Sequence, residues 1–519
     1  MDSKKKKDWF KLKKYSHIGM PLKENERNKW IEDYIKNPDR IEKHSFLPFI
    51  HKTSKVRKFR KNYSTEDGNK IIKVSIDGSK KERSSDTKKR ELFYAGHIDS
   101  LIFSYYSEIL SEKYEQKLKE YFLSDVVLAY RSIPVNKNKP NGTKKCSIDF
   151  ANDTFKYISE FKANDFIAIA FDIKGFFDNL SHENLRDVWV KLLGDQLKLH
   201  PDHFNIYKSI TRYTYVDLID LFNEFQNKIF VRTRGKNGKY NPIRRKKISK
   251  IKYLRKEGAI AFCTKKEFLK VKNKLLKNSK TAINENGNLV YKNFGIPQGS
   301  PISSILANLY MLNFDKTIND YIKLKGGIYR RYSDDMVVVC PKAEKDNIIK
   351  LMSKEITSKD INLEIQDKKT QIFHFKRTDE GLICGQEFEN IINWNKNFMY
   401  LGFEFDGEIV LLKSASLSNY YRKMKRTIRR AKHFSENPEN ANHNEIFKRR
   451  ILKKYSYKGA KRRRKWVKNK NGLGFIKSDF YNWGNFLSYA YKAENIMMKN
   501  KIKIQTRRHW NKLNDLLKN

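Results

Sequence analysis

Two short apolar runs, far apart in the chain, each lie against an acid. Phe166-Ile167-Ala168-Ile169-Ala170-Phe171 leads into Asp172. Gly326-Gly327 leads into Ile328-Tyr329-Arg330-Arg331, then Tyr332-Ser333-Asp334-Asp335 and Met336-Val337-Val338-Val339-Cys340. The 166–171 and 336–340 runs, short and apolar, predict buried strands. The stretches on either side of Ser333-Asp334-Asp335 predict a hairpin with acids at its tip. Between the two acidic sites, Phe294-Gly295-Ile296-Pro297-Gln298-Gly299-Ser300-Pro301-Ile302-Ser303-Ser304 predicts a tight loop whose backbone can approach a ligand closely. The Ile305–Met311 stretch after it suits a buried helix. Taken singly, each segment has an ordinary structural reading; an acid pair in a turn usually meets only water. Acids held on a buried hairpin are costly without a compensating cation. Three carboxylates at adjoining strand ends suit two Mg²⁺ ions about 3.5–4 Å apart that clamp an in-line phosphoryl transfer. Mg²⁺ takes few carboxylates and completes its shell with water and phosphate oxygens.

The remaining pattern divides the chain. Residues 1–80 are polar and basic, anchored by His44–Ile50, and partial order is expected there. Residues 81–165 read as helix-rich, with an apolar face at Ile102, Phe103, Tyr105, Tyr106, Ile109 and Leu110. Residues 181–290 form a spacer that opens on Ser181 as an N-cap. Its middle, Val231-Arg232-Thr233-Arg234-Gly235-Lys236-Asn237-Gly238-Lys239-Tyr240, predicts a basic hairpin able to grip nucleic acid through Arg232 and Arg234. From 412 onward the chain turns cationic. Seven of the twelve positions in 421–432 are basic, among them Arg422, Lys425, Arg426 and Arg429. Met424, Ile428 and Ala431 fall on the opposite side, so an amphipathic helix is predicted. Lys461-Arg462-Arg463-Arg464-Lys465-Trp466 is a second cluster, and Trp483, Phe486, Tyr489 and Tyr491 mark a further helix. The aromatics interspersed here are expected in the core rather than as stacking platforms. Such a helical region suits tracking of a duplex backbone.

Composition sharpens this picture. With 109 Lys+Arg against 59 Asp+Glu, the formal net charge of +50 points to a polyanionic partner. No apolar run approaches the roughly 18–20 residues of a transmembrane helix, and no signal core follows the basic start. Cys146, Cys263, Cys340 and Cys384 show neither CxxC spacing nor a disulfide framework, so reduced thiols in a cytoplasmic protein are expected. An aromatic content of 13% argues against wholesale disorder.

In this order the segments resemble the motifs of reverse transcriptases. The Asp172 segment, continuing as Ile173-Lys174-Gly175-Phe176-Phe177-Asp178-Asn179-Leu180-Ser181-His182, resembles motif A. Gly295–Ser304 resembles motif B, and Tyr332–Asp335 resembles the Tyr-x-Asp-Asp motif C. Leu363-Glu364-Ile365 with Lys369-Thr370 resembles motif D, and Tyr400-Leu401-Gly402-Phe403 the primer-grip motif E. The resemblance runs from about Thr87 to Phe405.

It implies an α+β right-hand polymerase: a palm of antiparallel sheet plus helices, mixed fingers and a helical thumb. The corresponding division is a basic extension (1–80), fingers (81–165), palm (166–180), an insertion with the basic hairpin (181–290), palm (291–411) and basic thumb (412–519). The implied reaction is RNA-directed DNA synthesis by two-metal nucleotidyl transfer, with Mg²⁺ as cofactor and an RNA template, deoxynucleoside triphosphates and cDNA as partners. Asp172 and Asp334 would bridge the ions. Asp335 would be a weaker ligand and the Ile173 carbonyl a further one. Phe177 would exclude a 2′-hydroxyl, and Gln298 and Gly299 would line the nucleotide pocket. Tyr332 would support the primer end, Arg90 and Arg131 would meet the triphosphate or template, and Lys369 would serve as a general acid or surface cation. Arg462, Arg463 and Arg464 join the nucleic-acid contacts.

The forms of motifs A and C are similar to those of bacterial group II intron, retron and phage-defence enzymes. Tyr94–Ser100, Ala129–Pro134 and Leu417–Met424 favour the defence group, which often works with a structured noncoding RNA. No Cys/His endonuclease segment follows the thumb, so retrohoming is not expected. A retron or intron-like enzyme or maturase, an RNA-dependent RNA polymerase and a non-catalytic RNA-binding scaffold remain open as alternatives. So do the primer and homo-oligomerisation.

Overall fold

The computed structural model describes residues 8–61, 63–66, 69–72, 83–140, 142–194, 197–233, 240–279, 281–283, 289–439, 445–461, 463–469, 474–481 and 483–518. Arg234 and Arg462 lie outside the described residues. The chain divides into two compact units, each built from separate stretches. The first comprises Met1–Tyr130, Ile173–Thr317 and Met352–Ile365; the second comprises Arg131–Asp172, Ile318–Leu351 and Gln366–Asn519.

The second unit is organised on a six-stranded sheet in the order Ile328–Tyr332, Asp335–Pro341, Asp165–Asp172, Gln371–Thr378, Gly381–Phe388, Ile391–Asn393, every pair antiparallel. The predicted hairpin and the predicted strand before Asp172 are therefore neighbours. Alternate residues of the central strands (Phe166, Ala168, Val337, Val339, Phe373, Phe375) enter one hydrophobic cluster. The helix Ser147–Glu160, the small sheet of Phe398–Tyr400, Phe403–Phe405 and Val410–Leu412, and the helix Phe486–Ile496 contribute to the same cluster. Phe166 stacks on Phe375 at 5.2 Å and Phe155 on Phe405 at 5.0 Å. The intervening residues Ile167, Ile169, Met336, Val338 and Cys340 are buried too. Burial of both faces explains why these runs are continuously apolar and do not alternate.

The chain beyond 412 is mainly helical. On the helix Ser414–Ser435, Tyr420, Met424 and Ile428 form a stripe four residues apart. They pack with Ile451, Tyr455, Leu487 and Leu513 from later helices. The region is not wholly helical, however: Arg464–Lys468 and Phe475–Tyr481 form a two-stranded hairpin. Trp483 lies outside the helix Phe486–Ile496 that it was expected to share with Phe486, Tyr489 and Tyr491.

The first unit carries two four-stranded sheets. One is Lys277–Asn278, Thr214–Asp217, Phe49–Lys61 and Arg83–Tyr94; the other is His17–Ile18, Ala259–Cys263, Ile229–Val231 and Arg244–Lys246. Ile229–Val231 pairs antiparallel with Arg244–Lys246, while residues 234–239 of the predicted hairpin Val231–Tyr240 lie outside the described residues. Within 81–165 the helices His97–Glu120 and Ser147–Glu160 bear out the helix-rich reading, whereas the long strand Arg83–Tyr94 that opens the stretch was not foreseen. Its sequence is too polar to announce a strand by alternation; pairing with Phe49–Lys61 determines it. The polar N-terminal segment is held to this core through Asp99, whose carboxylate accepts from the Leu47 amide at 3.0 Å and meets His44 Nε2 at 3.0 Å.

Candidate active site

In the second unit, sheet register places the acids. Asp172 and Asp335 are the terminal residues of adjacent strands and stand directly opposite one another. Tyr332 faces Asp335 across the hairpin. The turn is Ser333-Asp334, with Ser333 at φ 64°. Arg331 is fully buried, and its guanidinium donates to the Ser333 carbonyl at 3.2 Å, bracing the turn that carries the acids. The Tyr332 ring lies 6.1 Å from Phe150.

Lys369, at the end of the short turn Asp367–Lys369, donates to Asp172 Oδ1 at 2.7 Å. The turn is tied back by the Gln366 amide donating to the Asp172 carbonyl at 2.8 Å. Sequence reading left Lys369 as an acid or a surface cation; it sits on a candidate catalytic carboxylate. These groups open on a cleft of about 520 Å³ that is also lined by Met399, Tyr400, Gly402 and Lys413. The Tyr400 hydroxyl is buried without a hydrogen-bond partner among the described residues, and burial pushes its ionisation above the usual tyrosine range.

Negative charge here is under-compensated. The Asp335 carboxyl is pushed up to about 6, first by desolvation and then by Asp334 and Asp172, against the opposing pull of Lys369 and Lys413. The residue is nonetheless open to solvent at its rim, so water screens part of this effect. Among the described residues no group of three or more His, Cys, Asp or Glu side chains is gathered closely enough to hold a metal by itself. The residues present still fit Mg²⁺: an all-oxygen donor set of few carboxylates, with excess charge and an open cleft, is what an ion completing its shell with water and phosphate requires.

The raised value of Asp335 means that, without metal, the folded chain binds more protons than the unfolded chain between about pH 4 and pH 6. Stability therefore falls as pH rises through that window. The nominal cost of about 3 kcal/mol reduces to roughly 1 kcal/mol once screening is allowed for. In chelator, Asp335→Asn should melt above wild type at pH 8 and match it near pH 4, as read by thermal denaturation. Added Mg²⁺ should raise the wild type and narrow the gap at pH 8.

The other predicted residues divide between the two units. In the first unit, the turn after Asp172 and the Pro-Gln-Gly loop are stitched together. The Ile296 amide donates to the Phe177 carbonyl at 2.9 Å and the Gly295 amide to the Leu180 carbonyl at 2.8 Å. Gly295 has φ 91°, and a Cβ there would lie 2.7 Å from the Asp178 carbonyl oxygen, so no other residue fits without displacing backbone. Ser181 caps His182–Leu193, accepting from the Asn184 amide. Gln298 accepts from the Phe93 amide at 2.8 Å, which joins the loop to the strand bearing Arg90. Gly299 has φ 114° and only 2.7 Å between a built Cβ and the Phe93 oxygen. Phe177 is half-buried beside Phe176. Ile173 bridges to Ile365. Arg90 is exposed, and half-buried Arg131 opens the second unit. Arg232 lies over the Tyr240 ring at 4.8 Å.

Arg422, Lys425, Arg426 and Arg429 line a groove of about 760 Å³ in the second unit with Lys512, whose ammonium lies 4.5 Å from the Tyr421 ring. Arg463 and Arg464 are exposed. Sequence reading placed Tyr400 in the motif E resemblance but gave no role to Lys413 or Arg331. Arg331, an arginine inside an apolar hairpin, carried a usable signal, whereas Lys413 is one cation among 109 basic residues.

Residues 251–405 match the family model described as "Reverse transcriptase (RNA-dependent DNA polymerase)". That span contains the Pro-Gln-Gly loop, the Tyr332–Asp335 hairpin, Lys369 and Tyr400, but not Asp172. No curated protein sequence matches the chain at a significant level. Among solved structures, similarity extends to apo telomerase from Candida tropicalis truncated from its C-terminal domain. There the identity is 11% over 74% of this chain and 59% of that chain, with a TM-score of 0.34. Telomerase from Candida albicans in complex with the TWJ fragment of telomeric RNA is similar at 15% identity over 95% and 58%, also with a TM-score of 0.34. The chain thus spans less than two thirds of the length of these telomerase chains, and likeness of this order does not bear on activity. Among the described residues no helix is long and apolar enough to cross a membrane.

Proposed function

We propose that this chain, which carries a reverse transcriptase domain, is an RNA-directed DNA polymerase. The observation that carries the reading is the register that sets Asp172 opposite Asp335, with Asp334 at the adjoining turn and Lys369 on Asp172. Two divalent ions held by Asp172, Asp334 and Asp335, with the Ile173 carbonyl, would supply charge neutralisation at the attacking hydroxyl and the triphosphate. The protein's own share is positioning. Arg331 fixes the acid-bearing turn. Lys369 offsets the charge of Asp172 before substrate arrives and would give a proton to the departing pyrophosphate. Tyr400 and Lys413, in the same cleft, suit the phosphates of a primer end. Phe177 is the candidate gate against a 2′-hydroxyl, with Gln298 and Gly299 lining the nucleotide pocket.

Incorporation of labelled deoxynucleotide on an RNA template, with and without Mg²⁺, tests the reading; no metal-dependent incorporation would refute it. Phe177→Ala should shift the choice between deoxy- and ribonucleotide toward ribonucleotide by about ten- to a hundredfold in a competition assay. Unchanged discrimination would remove the gate and favour an RNA polymerase.

The finer proposal, antiviral defence with a dedicated noncoding RNA, is supported by the resemblance of Tyr94–Ser100, Ala129–Pro134 and Leu417–Met424. Sequencing of copurifying nucleic acid, and phage plating on cells expressing wild type or Asp334→Ala, would test it.

A further inference from the structure

The hairpin Arg464–Lys468/Phe475–Tyr481 is unlike the rest of the C-terminal region. Its rings were expected in the core. They are outside it: Trp466 is 60% exposed, Phe475 61% and Tyr481 45%, and Trp483 just beyond is 88% exposed. Scattered exposed rings need no explanation, but these are not scattered. Register sets Arg464 opposite Tyr481, Trp466 opposite Lys477 and Lys468 opposite Phe475. Cross-strand partners share a face, so Trp466 with Lys477 and, beyond a register irregularity, Arg464 with Tyr481 each join a ring to a cation. The Lys477 ammonium lies 5.4 Å from the Trp466 ring and the Arg464 guanidinium 5.9 Å from the Tyr481 ring.

Among the described residues the hairpin pairs with no third strand. An isolated two-stranded hairpin is marginal in water, so a partner that covers this face would also stabilise it. Charge identifies the partner. The two strands contain Arg464, Lys465, Lys468 and Lys477 against Asp479 alone. Beside them in the same unit is a groove of about 740 Å³ lined by Arg449, Lys453, Lys458, Lys461, Arg463 and Trp483. The groove on the helix Ser414–Ser435 offers cations with little exposed ring surface, which suits the backbone of a duplex. Rings add affinity only where bases are unstacked and available.

We propose that the 464–481 hairpin and the adjoining 449–463 groove form a second RNA site, which binds a single-stranded stretch by stacking its bases on Trp466, Phe475 and Tyr481. This deepens the polymerase reading and rests on it only for the choice of RNA as polyanion. The test is fluorescence anisotropy with a labelled single-stranded RNA of about a dozen nucleotides and a blunt RNA duplex of equal phosphate count, using the full chain. Trp466→Ala and Phe475→Ala should each weaken single-strand binding by about five- to a hundredfold and duplex binding by less than about twofold. Trp466→Phe, which keeps a ring, should restore most of the loss. Single-strand affinity equal to wild type in both alanine variants would overturn the proposal. So would equal losses on single strand and duplex, or a change in self-association without a change in RNA binding. Metal-dependent primer extension by the wild-type chain is measured alongside. If extension fails, the polymerase reading falls; if extension succeeds while the rings prove silent, only this second site falls.

Discussion

Replacing Asp334 and Asp335 together by alanine is expected to abolish primer extension while leaving the melting temperature unchanged or higher. The two halves of this result have different origins. Phosphoryl transfer depends on positioning and charge neutralisation rather than on covalent work by the protein. Loss of a preorganised electrostatic partner of a transition state costs about a hundred- to a thousandfold, and this variant loses two candidate ligands at once. Stability runs the other way because, without metal, the acids repel. Asp335 is pushed up to about 6, first by burial and then by Asp334 and Asp172. The supports of the hairpin survive the change: the buried Arg331 guanidinium still meets the Ser333 carbonyl, and Met336–Cys340 remain buried. Primer extension and thermal denaturation on the same preparation check both halves. Residual extension within tenfold of wild type would remove the acids from the chemistry. A large fall in melting temperature would make them structural instead.

The sheet that carries the candidate acids was legible because its central strands are buried on both faces. Phe166–Phe171 and Met336–Cys340 are continuous apolar runs, and a polar turn between apolar strands leaves little choice but a hairpin. What was not legible is what arrives from elsewhere in the chain. Gln371–Thr378 pairs with Asp165–Asp172, yet its sequence, Gln-Ile-Phe-His-Phe-Lys-Arg-Thr, does not name its neighbour. Lys413 reaches the Asp335 cleft through the fold alone, so in so basic a chain its position carried no mark. Arg83–Tyr94 looked unlike a strand because its polar residues need no alternation when a long partner supplies the hydrogen bonds. The rings at Trp466, Phe475 and Tyr481 were misjudged for a related reason. Aromatic residues usually report burial, and only strand register shows that these pair with cations across the hairpin.

Reversing Arg422, Arg426 and Arg429 to glutamate is expected to weaken RNA binding strongly and to flatten its salt dependence. The three guanidiniums lie on the exposed side of the helix Ser414–Ser435, while Tyr420, Met424 and Ile428 on the other side are buried. The helix should therefore stay folded when its charge is reversed. Arg422, Arg426 and Arg429 follow the helix at four- and three-residue spacing and share a groove with Lys425 and Lys512, an array suited to phosphates along one strand of a duplex. Every phosphate that the protein no longer neutralises should reduce the slope of log affinity against log salt by about 0.7–0.9, so freeing three should reduce it by about 2–2.7. Asp172, Asp334 and Asp335 are untouched, so a short preformed primer–template at low salt should still be extended, more slowly. A long structured template should fail first, because it depends most on retention. The measurement is affinity for one RNA across a salt series, wild type against triple variant. Parallel slopes with equal affinity would show that this helix meets no phosphate and would leave the hairpin and groove beyond it as the principal cationic route for RNA.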